Sequence, residues 1–218
     1  MRRQLDDILA LAPVIPVITI NDPATAVPLA KALQAGGVAV LEITLRTPHG
    51  LDAIRRIRSE VESVIVGAGT VRNSRDLAAA MAVGSEFIIS PGVTQELLRA
   101  AVDCDIPFMP GIATVSELML CLEKGFNIVK FFPAEALGGA KTLKAFAGPF
   151  PDVWFCPTGG ISPANIAEYL ALPTVKAIGG SWMVPQRHVD DLRWEEITDL
   201  AREAVQLVTQ LRTQTQKG

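Results

Sequence analysis

The sequence predicts an α/β protein built as one closed (β/α)8 barrel with a short N-terminal helix. Short runs rich in β-branched residues alternate along the chain with stretches rich in Ala and Leu. A helical stretch follows each of eight such runs, and strict alternation favours parallel strands joined by right-handed crossovers. The length of 218 residues is close to the ~250 of a usual eight-unit barrel. We therefore expect residues 1–218 to form a single barrel domain without an inserted one.

The predicted strands are apolar runs, and the predicted helices are the Ala/Leu-rich stretches between them, because these residues lose little side-chain freedom in a helix. In chain order the strands are Val14–Ile20, Val40–Thr44, Val64–Thr70, Phe87–Ser90, Pro107–Pro110, Ile128–Phe132, Trp154–Thr158 and Lys176–Gly179. The helices lie near residues 24–35, 49–62, 74–82, 94–102, 115–123, 140–146 and 164–171. A last helix is predicted near residues 191–211, and a short one near residues 2–10 precedes the first strand.

Composition and charge exclude several classes of protein. Hydrophobic residues make up 49% and the net charge is -3, a balance unlike that of disordered chains. The pI of about 5.5 argues against a nucleic-acid partner. No apolar run reaches the ~18 residues that a membrane span needs, and Asp6 and Asp7 interrupt the N-terminal apolar stretch, so a signal peptide is not expected. We expect a cytoplasmic protein that acts on a small molecule.

Cysteine and glycine patterns argue against bound metals and dinucleotides. Cys104, Cys121 and Cys156 are odd in number and far apart, so neither a disulfide framework nor a CxxC metal site is indicated. No cluster of His, Cys and Asp has metal-ligand spacing, and the dinucleotide fingerprint GxGxxG is absent. We therefore expect neither a metal nor a cofactor.

One lysine lies inside an apolar strand. Side chains alternate along a strand, so Ile128, Lys130 and Phe132 share a face that points into the barrel. A buried lysine is rare, because desolvating its charge is costly, and desolvation favours the neutral amine that can attack a carbonyl. Lys130 could equally reach the rim or bind a ligand anion as a fixed charge. This strand alone does not separate the two roles.

A carboxylate lies inside another strand. Glu42 shares its face with Val40 and Thr44, and a buried carboxylate needs a partner or a chemical task such as general acid/base catalysis. Arg46, just past the strand, could bind a substrate carboxylate with its two-pronged guanidinium. The alternative is an internal Glu42–Lys130 ion pair that only fills the barrel, with Arg46 on the surface.

Two glycine pairs follow the last two strands. Gly159 and Gly160 follow Thr158, and Gly179 and Gly180 precede Ser181. Glycine lets backbone N–H groups come close to an anion, and barrels often bind phosphate at these two loops. Two plain tight turns are the alternative.

Three further residues at strand ends have open roles. Thr70 could donate a hydrogen bond to a substrate carboxylate, or it could cap a turn. Pro91 could shape the pocket or belong to an ordinary turn. Phe132 could supply an apolar wall beside Lys130, although core packing predicts the same position.

Two long segments resemble motifs of the 2-keto-3-deoxy-6-phosphogluconate (KDPG) aldolase family. Residues 37–46 resemble its glutamate motif, and residues 125–135 resemble its Schiff-base motif. Collinear similar segments span residues 66–71, 89–92, 155–163 and 178–182, so the resemblance covers the chain from about residue 10 to 190.

The resemblance implies a class I aldolase on a (β/α)8 barrel, usually a homotrimer and without a metal. It implies that Lys130 forms the Schiff base, that Glu42 is the acid/base, and that Arg46 and Thr70 bind the pyruvyl carboxylate. By the same resemblance the distal hydroxyl and phosphate are bound by Thr158, Gly159, Gly160, Gly180 and Ser181, while Phe132 and Pro91 line the pocket.

The implied reaction is the reversible cleavage of 2-dehydro-3-deoxy-6-phosphogluconate to pyruvate and glyceraldehyde 3-phosphate, as in the Entner–Doudoroff pathway. Cleavage of 4-hydroxy-2-oxoglutarate, or of the galactonate epimer, is an alternative. A non-catalytic barrel that binds sugar phosphates is a third, which the set of Lys130, Glu42 and Arg46 disfavours.

Overall fold

A computed structural model describes residues 4–12 and 14–215, and the strand pairs within these ranges are parallel. The strands are β1 (Val14–Ile18), β2 (Val40–Thr44), β3 (Ile65–Gly69), β4 (Ile88–Ile89), β5 (Phe108–Met109), β6 (Gly111–Ile112), β7 (Ile128–Phe131), β8 (Trp154–Pro157) and β9 (Ile178–Gly180). The predicted parallel α/β architecture is confirmed.

The strands form a curled parallel arrangement in two sheets. One has the order β5-β4-β3-β2-β1-β9 and the other the order β6-β7-β8. An isolated bridge between Thr158 and Gly179 connects the end of β8 to β9. The predicted strand over Pro107–Pro110 is corrected to two short strands that flank Pro110, because proline has no N–H to donate to a ladder.

Every predicted helix has a counterpart in the structure. The helices are α1 (Leu5–Ala10), α2 (Ala26–Ala35), α3 (Gly50–Glu60), α4 (Ser74–Ala82), α5 (Gln95–Val102), α6 (Val115–Glu123), α7 (Gly139–Ala147), α8 (Ile166–Leu170), α9 (Gln186–Asp190) and α10 (Trp194–Thr215), with 3-10 turns at Pro23–Thr25 and Glu135–Leu137. Side chains of Asn73, Thr94 and Thr114 accept N–H hydrogen bonds that cap α4, α5 and α6. The five-residue helix α9 was not predicted. The start of the helix predicted near residues 2–10 lies outside the described residues.

Two apolar layers position the site. Alternation along the strands sends Val40 and Ile128 to an inner cluster and Leu41 and Val129 to the layer beneath the helices. The inner cluster also contains Ile8 of α1, and Val40 and Ile128 are the first residues of their strands. Helix α1 therefore closes the amino ends of the strands, and polar side chains inside the strands lie toward the carboxyl ends.

None of the helices within residues 4–12 and 14–215 combines the length and the apolarity that crossing a membrane requires.

Candidate active site

A buried ion pair lies inside the curled sheet. Lys130 Nζ donates a hydrogen bond to Glu42 Oε1 over 3.0 Å, and the two side chains are 5% and 2% exposed. Glu42 is the third residue of β2 and Lys130 the third of β7, so the contact crosses the interior from one sheet to the other. The sequence predicted that both side chains point inward, and the structure brings them together.

This geometry fits both roles that the sequence left open. Burying two charges costs several kcal/mol per ion in effective terms, which a close contact only partly offsets, so such a pair is weak evidence for stability alone. A separation of 3.0 Å is also within the reach that proton transfer requires. The arrangement can therefore supply a nucleophilic amine with an acid/base group beside it.

The Glu42 carboxylate occupies space that only a glycine leaves free. A Cβ atom placed on Gly69 would lie 2.1 Å from Glu42 Oε1, so any larger residue would displace the carboxylate. Gly69 is not among the site residues that the sequence predicted. The signal was present in Gly67-Ala68-Gly69, because glycine inside a strand often marks a close approach.

The surroundings of Lys130 are mostly apolar. Its Nζ lies 5.3 Å from the centre of the Phe132 ring, a distance at which the ring face attracts a cation. Cys156 is its register partner on β8. Burial raises the pKa of the Cys156 thiol to about 12, an effect that Lys130 opposes and Glu42 reinforces. Cys156 is therefore a neutral thiol at physiological pH.

The loops after β7 and β8 are hydrogen-bonded to each other. Ala134 N–H donates to the Thr158 carbonyl over 2.8 Å, and Glu135 N–H donates to the Gly159 carbonyl over 3.0 Å. Thr158 in turn bridges to Gly179, where a Cβ atom would lie 2.2 Å from Thr158 Oγ1. The glycine-rich loops are thus joined to the strand that carries Lys130.

Backbone donors are free at these loops. Within the described part of the chain, the N–H groups of Gly159, Gly160 and Ser181 donate no hydrogen bond to the protein. Gly160 and Ser181 are exposed to solvent. Free backbone N–H groups at glycine-rich loops are donors suited to an anion.

The remaining predicted residues lie at the carboxyl ends of other strands. Thr70 follows β3, is half-buried and has a φ of 61°. Pro91 follows β4, and its backbone lies against Gly111, the register partner of Lys130. Gly180 ends β9. Arg46 follows β2 and is exposed, with no ion pair to any described residue, so the structure does not bring it to the Lys130–Glu42 pair.

Sizeable clefts also occur at the other end of the strands. One of about 450 Å³ is lined by residues that include Asp6 and Asn127, and one of about 710 Å³ by residues that include Lys176 and Arg212. Neither is lined by Lys130 or Glu42. The buried amine and its carboxylate, and not cleft size, therefore identify the candidate site.

Comparisons with known proteins agree with the sequence resemblance. The family model described as KDPG and KHG aldolase matches residues 5–200. The KHG/KDPG aldolase of Escherichia coli K12 is 57% identical over 201 residues, covering 92% of this chain and 94% of that protein. The 2-dehydro-3-deoxy-phosphogluconate aldolase of Pseudomonas aeruginosa is 50% identical over 203 residues, covering 93% and 92%.

Solved structures resemble the chain in three dimensions as well. The KDPG aldolase of Legionella pneumophila, with pyruvate captured as a covalent carbinolamine, superposes with a TM-score of 0.91 at 47% identity over 93% of this chain and 98% of that one. A porous protein cage designed by fusing symmetric oligomeric domains gives a TM-score of 0.84 at 25% identity, covering 94% and 75%.

Proposed function

Because the chain belongs to the KDPG and KHG aldolase family, we propose that it cleaves 2-dehydro-3-deoxy-6-phosphogluconate to pyruvate and glyceraldehyde 3-phosphate through a Schiff base on Lys130. The observation that carries this proposal is the buried Lys130 amine 3.0 Å from the Glu42 carboxylate. The neutral amine is the nucleophile, and the adjacent carboxylate is placed to take the proton that the amine gives up.

The first step forms the Schiff base. The lone pair of Lys130 Nζ attacks the C2 carbonyl carbon, and the carbonyl oxygen takes up a proton to give a carbinolamine. Glu42 carries protons between the nitrogen and the C2 hydroxyl, which leaves as water. The product is an iminium ion between C2 and Lys130.

The second step breaks the carbon–carbon bond. Glu42 accepts the proton of the C4 hydroxyl, the electron pair of the C3–C4 bond moves into the iminium, and glyceraldehyde 3-phosphate leaves. The resulting enamine takes a proton at C3. Water then hydrolyses the iminium, which releases pyruvate and regenerates the Lys130 amine.

Binding of the substrate divides between its two ends. Arg46 and Thr70, at the carboxyl ends of β2 and β3, bind the pyruvyl carboxylate. Phe132 and Pro91 line the apolar wall around C2 and C3. The distal hydroxyl and phosphate are bound by Thr158, Gly159, Gly160, Gly180 and Ser181.

The same proposal covers the architecture and the assembly. A single closed (β/α)8 barrel over residues 1–218 is supported by the Thr158–Gly179 bridge and by Pro110, the one residue between β5 and β6.

A homotrimer is supported by Val115 and Met119, apolar residues one turn apart on α6 that are 37% and 51% exposed. A solution mass of about three times 23.3 kDa by light scattering would support it, and a monomer would reject it. The free thiols of the chain fit a cytoplasmic enzyme.

Reductive trapping tests the Schiff base. Incubation with pyruvate and borohydride should add one reduced pyruvyl group, and peptide mapping should locate it on Lys130 and leave Lys176 unmodified. An adduct on another lysine would refute the role of Lys130. The absence of any adduct would favour the non-catalytic barrel that only binds sugar phosphates.

A second candidate substrate is 4-hydroxy-2-oxoglutarate, because the Escherichia coli relative carries both names. The galactonate epimer, 2-dehydro-3-deoxy-6-phosphogalactonate, is a third. The free N–H groups of Gly159 and Gly160 favour the phosphorylated substrates. We expect kcat/KM to be higher for 2-dehydro-3-deoxy-6-phosphogluconate than for the same sugar acid without its phosphate or for 4-hydroxy-2-oxoglutarate. A higher kcat/KM for 4-hydroxy-2-oxoglutarate would overturn this order.

A further inference from the structure

A tyrosine and a carboxylate that no step of the aldol reaction uses lie against the glycine-rich loop after β8. Tyr169, on α8, is 1% exposed, and its hydroxyl donates a hydrogen bond to Glu135 Oε1. Burial, reinforced by this hydrogen bond and the nearby carboxylate, raises the pKa of Tyr169 well above its usual range. The phenol is therefore a hydrogen-bond donor over the whole working range of pH.

Glu135 is packed directly on the loop that would bind the phosphate. A Cβ atom on Gly160 would lie 2.7 Å from both Cβ and Cγ of Glu135, and Gly160 has a φ of +80°. Only glycine fits this position, since other residues would meet both the contact and the strained backbone. The first two side-chain carbons of Glu135 therefore lie beside Gly160, and rotation of the side chain can bring its carboxylate to the free Gly160 N–H.

The remaining bonds of the loop engage the carbonyl groups of Gly159 and Gly160 and leave the N–H groups of these two glycines free. Glu135 N–H donates to the Gly159 carbonyl over 3.0 Å, and Asn165 Nδ2 donates to the Gly160 carbonyl over 3.1 Å. Asn165 Oδ1 also accepts from Ser162 N–H over 2.8 Å. Asn165 immediately precedes α8, so one helix supplies both this anchor and Tyr169.

We propose that Tyr169 is a positioning residue that holds the Glu135 carboxylate away from the N–H groups of Gly159 and Gly160, and so sets the affinity for the phosphate end of the substrate. This inference rests on the proposed function. Glu135 is exposed and, if released, would turn toward the same donors as an internal anion. It would then compete with the phosphate for those donors and repel its charge.

The test variant is Tyr169→Phe, which keeps the buried ring and removes only the hydroxyl. We expect KM for the phosphorylated sugar acid to rise about three- to tenfold, the effect of losing one modest hydrogen bond, with kcat within about twofold. KM for the same sugar acid without its phosphate should stay unchanged. An equal rise for both substrates, or no rise for either, would overturn the proposal.

A second variant isolates the charge of Glu135. Adding Glu135→Gln to Tyr169→Phe removes the negative charge, and we expect it to restore most of the lost affinity. A double variant as weak as Tyr169→Phe alone would refute the charge argument.

Two further readouts separate this inference from the proposed function. Pyruvate and borohydride should modify Lys130 equally in the parent and in Tyr169→Phe, because the pyruvyl end is not involved. Inorganic phosphate should raise the melting temperatures of both proteins, and the parent should need a lower phosphate concentration than Tyr169→Phe. This measurement requires no chemistry at Lys130. Equal phosphate dependence in the two proteins would reject the role of Tyr169 even if the aldolase activity is confirmed.

Discussion

Two lysines at opposite ends of the strands have the same kinds of neighbour. Lys130 pairs with Glu42 and lies 5.3 Å from the centre of the Phe132 ring. Lys176 pairs with Asp6 and lies 4.4 Å from the centre of the Trp154 ring. Each therefore has one carboxylate and one aromatic face.

Burial separates the two lysines. The Lys130 side chain is 5% exposed and its carboxylate partner 2%, whereas the Lys176 side chain is 26% exposed and its partner 59%. Water screens the second pair, which connects α1 to the amino ends of the strands at little gain in stability. The first pair is shielded from water, so the charge of each partner depends on whether the other partner carries a proton.

Removing the amine should give the largest difference between the two lysines. We expect Lys130→Met to lower kcat by at least about 10⁴-fold, because the covalent intermediate cannot form. Lys176→Met, the matched control, should stay within about twofold of the parent. Steady-state cleavage assays measure both, and near-normal turnover by Lys130→Met would remove Lys130 from the mechanism.

Changing the carboxylates should give the next largest difference. Glu42→Gln should lower kcat by about 10²–10⁴-fold while the fold is kept, since a general acid/base contributes that much. Asp6→Asn changes a carboxylate to an amide at the other end and should leave kcat unaffected. Circular dichroism controls for folding. Equal rates for the two variants would mean that Glu42 only fills the interior.

Breaking the Lys130–Glu42 pair should also lower the free energy of unfolding more than breaking the Lys176–Asp6 pair. Lys130→Met leaves Glu42 buried without its partner, so we expect the free energy of unfolding in urea to fall by about 3–5 kcal/mol. Adding Glu42→Gln to that variant should recover at least half of the loss. Lys176→Met should cost about 1 kcal/mol or less, because its pair is solvated. Equal losses at the two lysines would contradict the comparison.

The smallest expected effect concerns the cysteines. Burial raises the pKa of both the Cys156 and the Cys121 thiol to about 12, so at pH 8 both remain protonated and unreactive, because only the thiolate attacks. Cys104 is partly exposed. Iodoacetamide at pH 8, followed by mass spectrometry, should label Cys104 alone in the native protein and all three thiols in denaturant. Native labelling of Cys156 would show that water reaches Lys130.

Much of the fold was predictable because its signals are local. The β2 prediction, Val40–Thr44, matches the structure residue for residue, since an apolar run bounded by loops is typical of a buried parallel strand. The strand predicted at residues 107–110 was wrong at its end, because Pro110 has no N–H to donate to the ladder and separates β5 from β6. The pattern of apolar residues does not show this missing donor. The five residues of α9 lack the repeated turns from which a helix can be recognised.

The site was only half predictable, for a related reason. Alternation along single strands indicated that Glu42 and Lys130 point inward, and this is a property of each strand by itself. The 3.0 Å contact between them joins residues 88 positions apart, on different sheets. No local pattern encodes such a distance.

The sequence alone determined the parallel α/β class, the inward lysine and glutamate, and the family to which the chain belongs, because strand periodicity and motif identity are written in neighbouring residues. Only the tertiary structure decided that Gly69 makes room for the Glu42 carboxylate, that the Tyr169 hydroxyl donates to Glu135, and that Glu135 packs on Gly160. The same holds for the burial that distinguishes Lys130 from Lys176. The physical reason is that burial and close approach depend on which distant segments of the chain pack together. This packing determines whether a charged group contacts water or another side chain.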